Sequence, residues 1–289
     1  MIPDKAPAGD ALFASHPRSY QRNRYVYPVL SRRSGGISIG INLNLDKICN
    51  FDCVYCQVDR GQPGEKAFVD LAILEGELEA MVAAVTEGAV FAGPPFRNAP
   101  AELRQLRDIA FSGDGEPTTF VNFDEIVGVS AKVRQRHALD GVKLVLITNA
   151  SMFHRPAVRR GLSILDAHGG EVWAKLDAGT AAYYTRVARS AIPFSRILDN
   201  LRAAARERPL VIQTLLMRLA GEPPPDAEIA AYADRLAEIT AAGGTVKLVQ
   251  LHSVARPPAE AFVSALTRAE LTAIAERVRR RTGLGVAVY

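Results

Sequence analysis

The chain has 289 residues, 48% of them hydrophobic and 23% charged, with a formal net charge of +4. That balance excludes disordered, collagen-like and other low-complexity fibrous proteins, and the length is enough to bury a large core. No apolar run approaches the roughly 18–20 residues of a spanning helix, and MIPDKAPAGDALFASHPRSY lacks the charged-then-apolar pattern of a signal peptide. The sequence therefore reads as soluble and cytoplasmic, with no membrane partner, and mildly basic, which suits a phosphate-bearing substrate.

In chain order, Ile37–Leu45 alternates and predicts a strand. A cysteine-bearing loop follows over Asp46–Arg60. Asp70–Thr86 has apolar residues at helical spacing, and Gly93–Pro100 is a Pro/Gly-rich connection. Leu106–Ser112 predicts a strand, Phe123–His137 a helix and Val142–Ile147 a near-continuous apolar strand. Ala157–Ala167 reads as helix, Glu171–Leu176 as strand and Pro193–Glu207 as helix. Leu210–Met217 predicts a strand, Asp226–Ala241 a helix, Thr245–Leu251 a strand and Arg268–Arg281 a helix. Leu284–Tyr289 adds a short strand. Strands alternating with helices imply parallel βαβ units. Six units fall short of the eight of a full barrel, which takes about 250 residues. The fold class is α/β, a partial (β/α)6 barrel of parallel strands over 37–289, preceded by an N-terminal arm over 1–36. A doubly wound open sheet is the alternative. Either way, ligands bind at the C-terminal ends of the strands.

All three cysteines, Cys49, Cys53 and Cys56, lie in the loop KICNFDCVYCQVDR. An odd number crowded together is a poor disulfide framework and a better metal site. Zinc would need a fourth ligand, and the nearest histidines, His16 and His137, are far off in sequence. Thiolates also hold iron–sulfur clusters. On a [4Fe–4S] cubane, three thiolates leave one iron open, as a catalytic metal requires. The spacing Cys49-x3-Cys53-x2-Cys56, with Tyr55 before the last cysteine, resembles the signature of the radical S-adenosylmethionine (SAM) superfamily. The resemblance implies a single [4Fe–4S] cluster whose open iron is chelated by the amino and carboxylate groups of SAM. It also implies reductive cleavage of SAM to a 5′-deoxyadenosyl radical, with electrons from an external donor such as flavodoxin or ferredoxin.

Other polar groups fall at predicted strand ends. Gly113-Asp114-Gly115-Glu116-Pro117 follows the second strand and reads as a tight turn with an exposed carboxylate, or, as the resemblance implies, as the stretch that orients the SAM amino group. Thr148-Asn149-Ala150-Ser151 reads as a capped helix start or, through Asn149, a SAM contact. Lys175 and Asp177 face the same way on a strand. They form an ion pair, or hold the SAM carboxylate and ribose respectively. Gln213 points into the barrel and, as a buried amide, needs partners that cofactor or substrate would supply. His252 is a core histidine or a ribose contact. The stretch from SGDGEPTT through TNAS and WAKLDAGT to IQTLLM resembles the wyosine-tRNA synthase-like group, without the further cysteines of a second cluster. That resemblance makes RNA one substrate class. A small metabolite or peptide is another, and a non-catalytic iron–sulfur scaffold a third reading. The Arg- and Tyr-rich stretch SHPRSYQRNRYVYPVLSRRSGG suits phosphate contact and base stacking, or a solvated arm.

Overall fold

The computed structural model describes residues 18–289 except 62–63, 66–67 and 259. It opens with β1 (Val26–Ser31) and β2 (Gly36–Ile41), antiparallel, with Val26 opposite Ile41 and Ser31 opposite Gly36. The stretch read as an arm over 1–36 therefore contributes a strand from Val26 onward, while residues 1–17 of it lie outside the described residues. Pro28 inside the run suits an edge strand, which is where β1 sits. Its start is tied down by α1 (Leu71–Thr86): the Glu77 carboxylate accepts from the backbone N–H groups of Arg24, Tyr25 and Val26 at 2.6, 2.8 and 3.2 Å.

The chain continues through β3 (Leu106–Phe111), α2 (Phe123–Arg136), β4 (Lys143–Thr148), α3 (Pro156–Ala167) and β5 (Glu171–Lys175). Then come α4 (Ala181–Ala188), α5 (Phe194–Glu207), β6 (Leu210–Leu215), β7 (Met217–Leu219), α6 (Asp226–Ala241) and β8 (Val246–His252). The last elements are β9 (Val263–Ala265), α7 (Arg268–Thr282) and β10 (Val286–Val288). Two details differ from the sequence reading. The strand expected over Leu210–Met217 breaks at Leu216, and β7 pairs instead with β9 in a separate two-stranded sheet. The helix α4 was not foreseen, because it is short and follows β5 within a few residues.

The main sheet has the order β1-β2-β3-β4-β5-β6-β8-β10, and every pairing from β2 onward is parallel. Sequential order means each crossover steps the same way. With right-handed connections the helices then lie on one face and the sheet curls. A doubly wound sheet would reverse its order, so the partial barrel is the architecture; the six expected strands are β2, β3, β4, β5, β6 and β8. Alternation sorts the faces. Ile37, Ile39, Ile41, Phe111, Leu144, Ile212 and Val249 face the helices and build the main core. Ala110, Val145, Trp173 and Val211, flanked by Ile147 and Leu248, form a small apolar patch on the inner face.

Candidate functional site

The cysteine loop leaves the C-terminal end of β2 and is pinned from two sides. The backbone N–H groups of Asp52 and Val54 donate to the carbonyls of Ala188 and Val187, each at 3.0 Å. These are carbonyls of the last turn of α4, which lack partners within the helix; α4 stops there because Arg189 turns to φ 45°. On the other side Asn50 Nδ2 donates to Ser151 Oγ at 2.7 Å, and Asn149 Nδ2 donates to Asn50 Oδ1 at 2.8 Å.

Cys49, Cys53 and Cys56 are free thiols and line one cavity of about 360 Å³. Burial pushes the Cys53 thiol up to about 12, against the pull of Lys175, and raises Cys49 as well. A metal-bound thiol is deprotonated outright, so a metal would supply the positive charge these thiolates need. Among the described residues no three His, Cys, Asp or Glu side chains converge closely enough for one ion. Of the two histidines nearest in sequence, His137 bonds Glu79 between α2 and α1, and His16 lies outside the described residues. A cubane takes each thiolate on a different iron and so spreads them around a volume. Arg60 Nε, His252 Nδ1 and Arg256 Nε are buried without hydrogen-bond partners, and all three residues line the same cavity. Buried polar groups are normally paired. The cavity is thus chemically incomplete, and its three thiols, with Arg60 Nη2 3.6 Å from Cys56 Sγ, fit an anionic cluster and a polar cofactor.

The structure brings most of the expected residues to this cavity. Tyr55, Gly113, Gly115, Glu116, Asn149, Lys175, Gln213 and His252 all line it. Two do not. Pro117 is buried at the start of a 3₁₀ turn, where its ring shapes the loop from behind. Asp177 sits past the end of β5 and turns away: it accepts from the Leu215 N–H at 2.8 Å and from the Tyr55 hydroxyl, and lies 3.6 Å from Lys175.

Glu116 lies at the mouth but is not an exposed carboxylate. Its Oε1 accepts from the Thr118 N–H, the Thr118 hydroxyl and the Thr148 hydroxyl at 3.2, 2.5 and 2.6 Å, and its Oε2 accepts from the Asn149 N–H at 2.7 Å. It clamps the loop after β3 to the end of β4, leaving the loop's backbone to meet a ligand. The two glycines are required by close approach: a Cβ on Gly113 would lie 2.2 Å from Asn42 Oδ1, and one on Gly115 2.3 Å from the Ile48 carbonyl. Asn149 is likewise committed to Asn50 and to the Ser151 N–H. Lys175 stands 4.5 Å from the Tyr55 ring centroid, a cation–π distance. Gln213 donates to Gln250 Oε1 at 3.0 Å. Burial, reinforced by Arg33, Lys175 and Arg32, holds His252 well below its ordinary pKa and therefore neutral. Sequence reading missed Asn50, Arg60 and Arg256, of which only Arg60, four residues after Cys56, carried a positional signal; Arg33 lies in the Arg- and Tyr-rich stretch read as suited to phosphate contact.

A parallel six-unit partial barrel with a Cys-x3-Cys-x2-Cys loop at its C-terminal mouth is the fold that the sequence predicts. Solved structures with this fold include TYW1 with a lysine–pyruvate adduct bound, with a TM-score of 0.53, 18% identity and coverage of 84% of this chain and 73% of that one. Archaeal TYW1 gives a TM-score of 0.51 at 16% identity, over 85% of this chain and 72% of that one. Among curated proteins, a UPF0026 protein of Helicobacter pylori is 27% identical over 176 residues, 60% of this chain and 48% of its own length. A UPF0026 protein of Methanocaldococcus jannaschii is 30% identical over 139 residues, 48% of this chain and 37% of its own. The chain thus spans half or less of the length of these curated relatives. No protein-family model matches it.

Proposed function

We propose that this chain is a radical SAM enzyme, with Cys49, Cys53 and Cys56 holding a single [4Fe–4S] cluster and SAM completing its open iron. The observation that carries the reading is that three free thiols and three residues with buried, partnerless nitrogens line one cavity at the strand ends. When bound, the cluster supplies the electron that splits SAM into methionine and the 5′-deoxyadenosyl radical that abstracts a substrate hydrogen. The protein's own part is orientation and exclusion of water. Lys175 takes the SAM carboxylate. Backbone carbonyls of the Gly113–Gly115 loop take its ammonium, with Glu116 fixing that loop. Tyr55 and Asp177 hold Lys175 in place. Arg60 neutralises charge beside Cys56. An external flavodoxin- or ferredoxin-type donor supplies the electron. Of the substrate classes, the motif resemblance to the wyosine-tRNA synthase-like group favours RNA.

Anaerobic reconstitution tests the reading. About four irons per chain are expected, with formation of 5′-deoxyadenosine and methionine from SAM once the protein is reduced, both lost on Cys53→Ala. Stoichiometric zinc without iron would sink it. A loaded, reduced protein that forms no 5′-deoxyadenosine would leave the scaffold reading.

A further inference from the structure

An electron bound for the cluster must arrive from outside, and the cysteine loop has an outer surface of its own. Ile48, next in the chain to Cys49, is 56% exposed, and Val121, in the loop after β3, is 76% exposed. The two loops lie against each other: a Cβ on Gly115 would sit 2.3 Å from the Ile48 carbonyl. Beside them stand arginines of α3 and α5. Arg155 precedes α3, and its Nη1 donates to the Thr119 carbonyl at 3.1 Å, two residues before Val121. Arg159 lies one helical turn further on, with its N–H on the Arg155 carbonyl at 3.0 Å, so the two share a face. Arg196, in the first turn of α5, comes one turn before Asn200, whose Nδ2 donates to the Ala150 and Ser151 carbonyls at 2.7 and 3.1 Å. The Ser151 hydroxyl in turn accepts from Asn50 of the cysteine loop at 2.7 Å. Hydrogen bonds thus join the cysteine loop, the segment before α3 and the start of α5 into one surface. Burial and then the charges of Arg196, Arg155 and Arg159 lower the pKa of His154, against a backbone hydrogen bond at Ser151, as cations grouped around one side chain would.

This surface is positive and lacks counter-charges. In the first two turns of α2, α3 and α5 the carboxylates are Asp124, Glu125 and Asp199. Asp124 pairs with Arg160 and Asp199 with Arg202. Among the described residues, no carboxylate pairs with Arg155, Arg159 or Arg196. Both α3 and α5 begin without an acidic residue in the first turn and without a side-chain cap. The arginines therefore stand where the helix dipole disfavours cations, an arrangement that an acidic partner relieves and folding does not require. None of Ile48, Val121, Arg155, Arg159 and Arg196 lines the cavity. A partner seated on them stays out of the space around the thiols, yet at Ile48 it is one residue, about 3.8 Å of backbone, from Cys49. That position suits a partner that passes an electron and not one whose own atoms react. Ile48 and Val121 are aliphatic and offer no ring on which bases stack, which favours a protein over RNA. A small apolar spot ringed by charge of one sign fits a steered, transient encounter, and electron-transfer interfaces are among the smallest.

We propose that Arg155, Arg159 and Arg196, with the exposed Ile48 and Val121, form the docking face for an acidic electron-donor protein of the flavodoxin type. The inference rests on the radical SAM reading for the cluster that receives the electron. One electron leaves the donor's reduced flavin and one reduces the cluster; no bond forms or breaks at the interface, and no proton crosses it.

The test pairs reconstituted protein with a bacterial flavodoxin. Binding is read by calorimetry at low and high salt. Cluster reduction by fully reduced flavodoxin is read by stopped-flow absorbance, with photoreduced 5-deazaflavin as a reductant that needs no docking. Binding and fast reduction are expected at low salt, both falling steeply as salt rises. The double variant Arg159→Glu/Arg196→Glu should weaken binding and slow reduction by flavodoxin about tenfold or more, with iron content and reduction by deazaflavin unchanged. Each reversal puts a carboxylate near a helix N-terminus, where it is favourable, so the variant is expected to fold, and its unfolding midpoint checks this. Val121→Ser should weaken binding without changing its salt dependence, and it reports on the face even if the double variant is unstable. Protein that cleaves SAM under deazaflavin, with flavodoxin binding unaltered by these variants, would overturn the docking face and leave the enzyme reading standing. Protein that takes up no cluster yet binds flavodoxin through the two arginines would keep the face and remove the enzyme reading. Reversals that abolish binding of an RNA oligonucleotide and leave flavodoxin binding intact would overturn the protein assignment in favour of RNA.

Discussion

Glu116 gathers four hydrogen bonds from three residues, Thr118 in its own loop and Thr148 and Asn149 at the end of β4, and that use decides what its substitution does. Glu116→Gln points an amide donor at groups that are themselves donors. Hydrogen bonds to a charged group contribute about 1.5–3 kcal/mol each, and a buried donor left unmet costs a similar amount. Urea unfolding of Glu116→Gln should therefore show a loss of about 2–4 kcal/mol; an unchanged midpoint with an unchanged slope would mean the clamp contributes nothing. Glu171 behaves differently. Burial alone would raise its pKa, but hydrogen bonds from Lys143, Lys247 and the Trp173 indole outweigh burial and bring it down to about 2. A depressed carboxylate contributes stability that is present above its ordinary pKa of 4.5 and lost as pH falls toward 2. Both lysines are half in solvent, which reduces the effect to about 1–2 kcal/mol. Wild type should exceed Glu171→Gln in stability at pH 6 by that amount, and the gap should close by pH 2. A gap that does not change with pH would contradict the assignment.

At the scale of elements, the cysteine loop takes its shape from its neighbours, since it contains no helix or strand of its own. The end of α4 receives its backbone N–H groups, and Asn50 ties it to the segment after β4. Asn50→Ala removes the second tie and leaves the first. Its expected effect is local: a global stability loss of about 1 kcal/mol, but several-fold faster release of iron to a chelator from reconstituted protein. Equal iron release in wild type and variant would show that α4 alone holds the loop. These ties also mark what sequence could and could not tell. The apolar strands such as Val142–Ile147 and the long helices announce themselves by period, and their observed bounds fall within a few residues. The strand β1 hid behind Pro28 and a basic, aromatic composition that reads as an arm, although Tyr25, Val26 and Tyr27 are all buried. The helix α4 hid because eight residues carry too few turns for a clear periodicity. At the site, Cys49, Cys53 and Cys56 were legible from spacing alone. The turning of Asp177 toward Tyr55 was not, because it depends on contact with β6, a strand more than thirty residues later.

For the whole molecule, the sequential strand order makes β1 and β10 the two edges of an open barrel, with no pairing between them among the described residues. The edge at β1 is built into the fold. It pairs with β2 from Val26–Ile41 to Ser31–Gly36, and Tyr27 donates through its hydroxyl to the Ser112 carbonyl at 3.0 Å, tying the edge to the loop that carries Gly113 and Glu116. The Tyr27 ring lies so close over Gly40 that a Cβ there would sit 2.3 Å from it. A barrel beginning at residue 37, as the composition of the chain suggests, would lose this strand, expose one side of β2 and strip the Glu77 carboxylate of its three backbone donors. Burial of Tyr25, Val26, Tyr27 and Leu30 alone is worth several kcal/mol at about 1.5–3 kcal/mol per large apolar side chain, a large share of the total stability of a typical domain. A chain starting at Gly36 should therefore be insoluble, or unfold at a much lower urea concentration with early proteolysis in the cysteine loop. Glu77→Gln, which weakens only the tie between α1 and the strand, should sit between the truncation and wild type. A truncated chain with the wild-type midpoint and protease pattern would make β1 an appendage and return the barrel's boundary to residue 37.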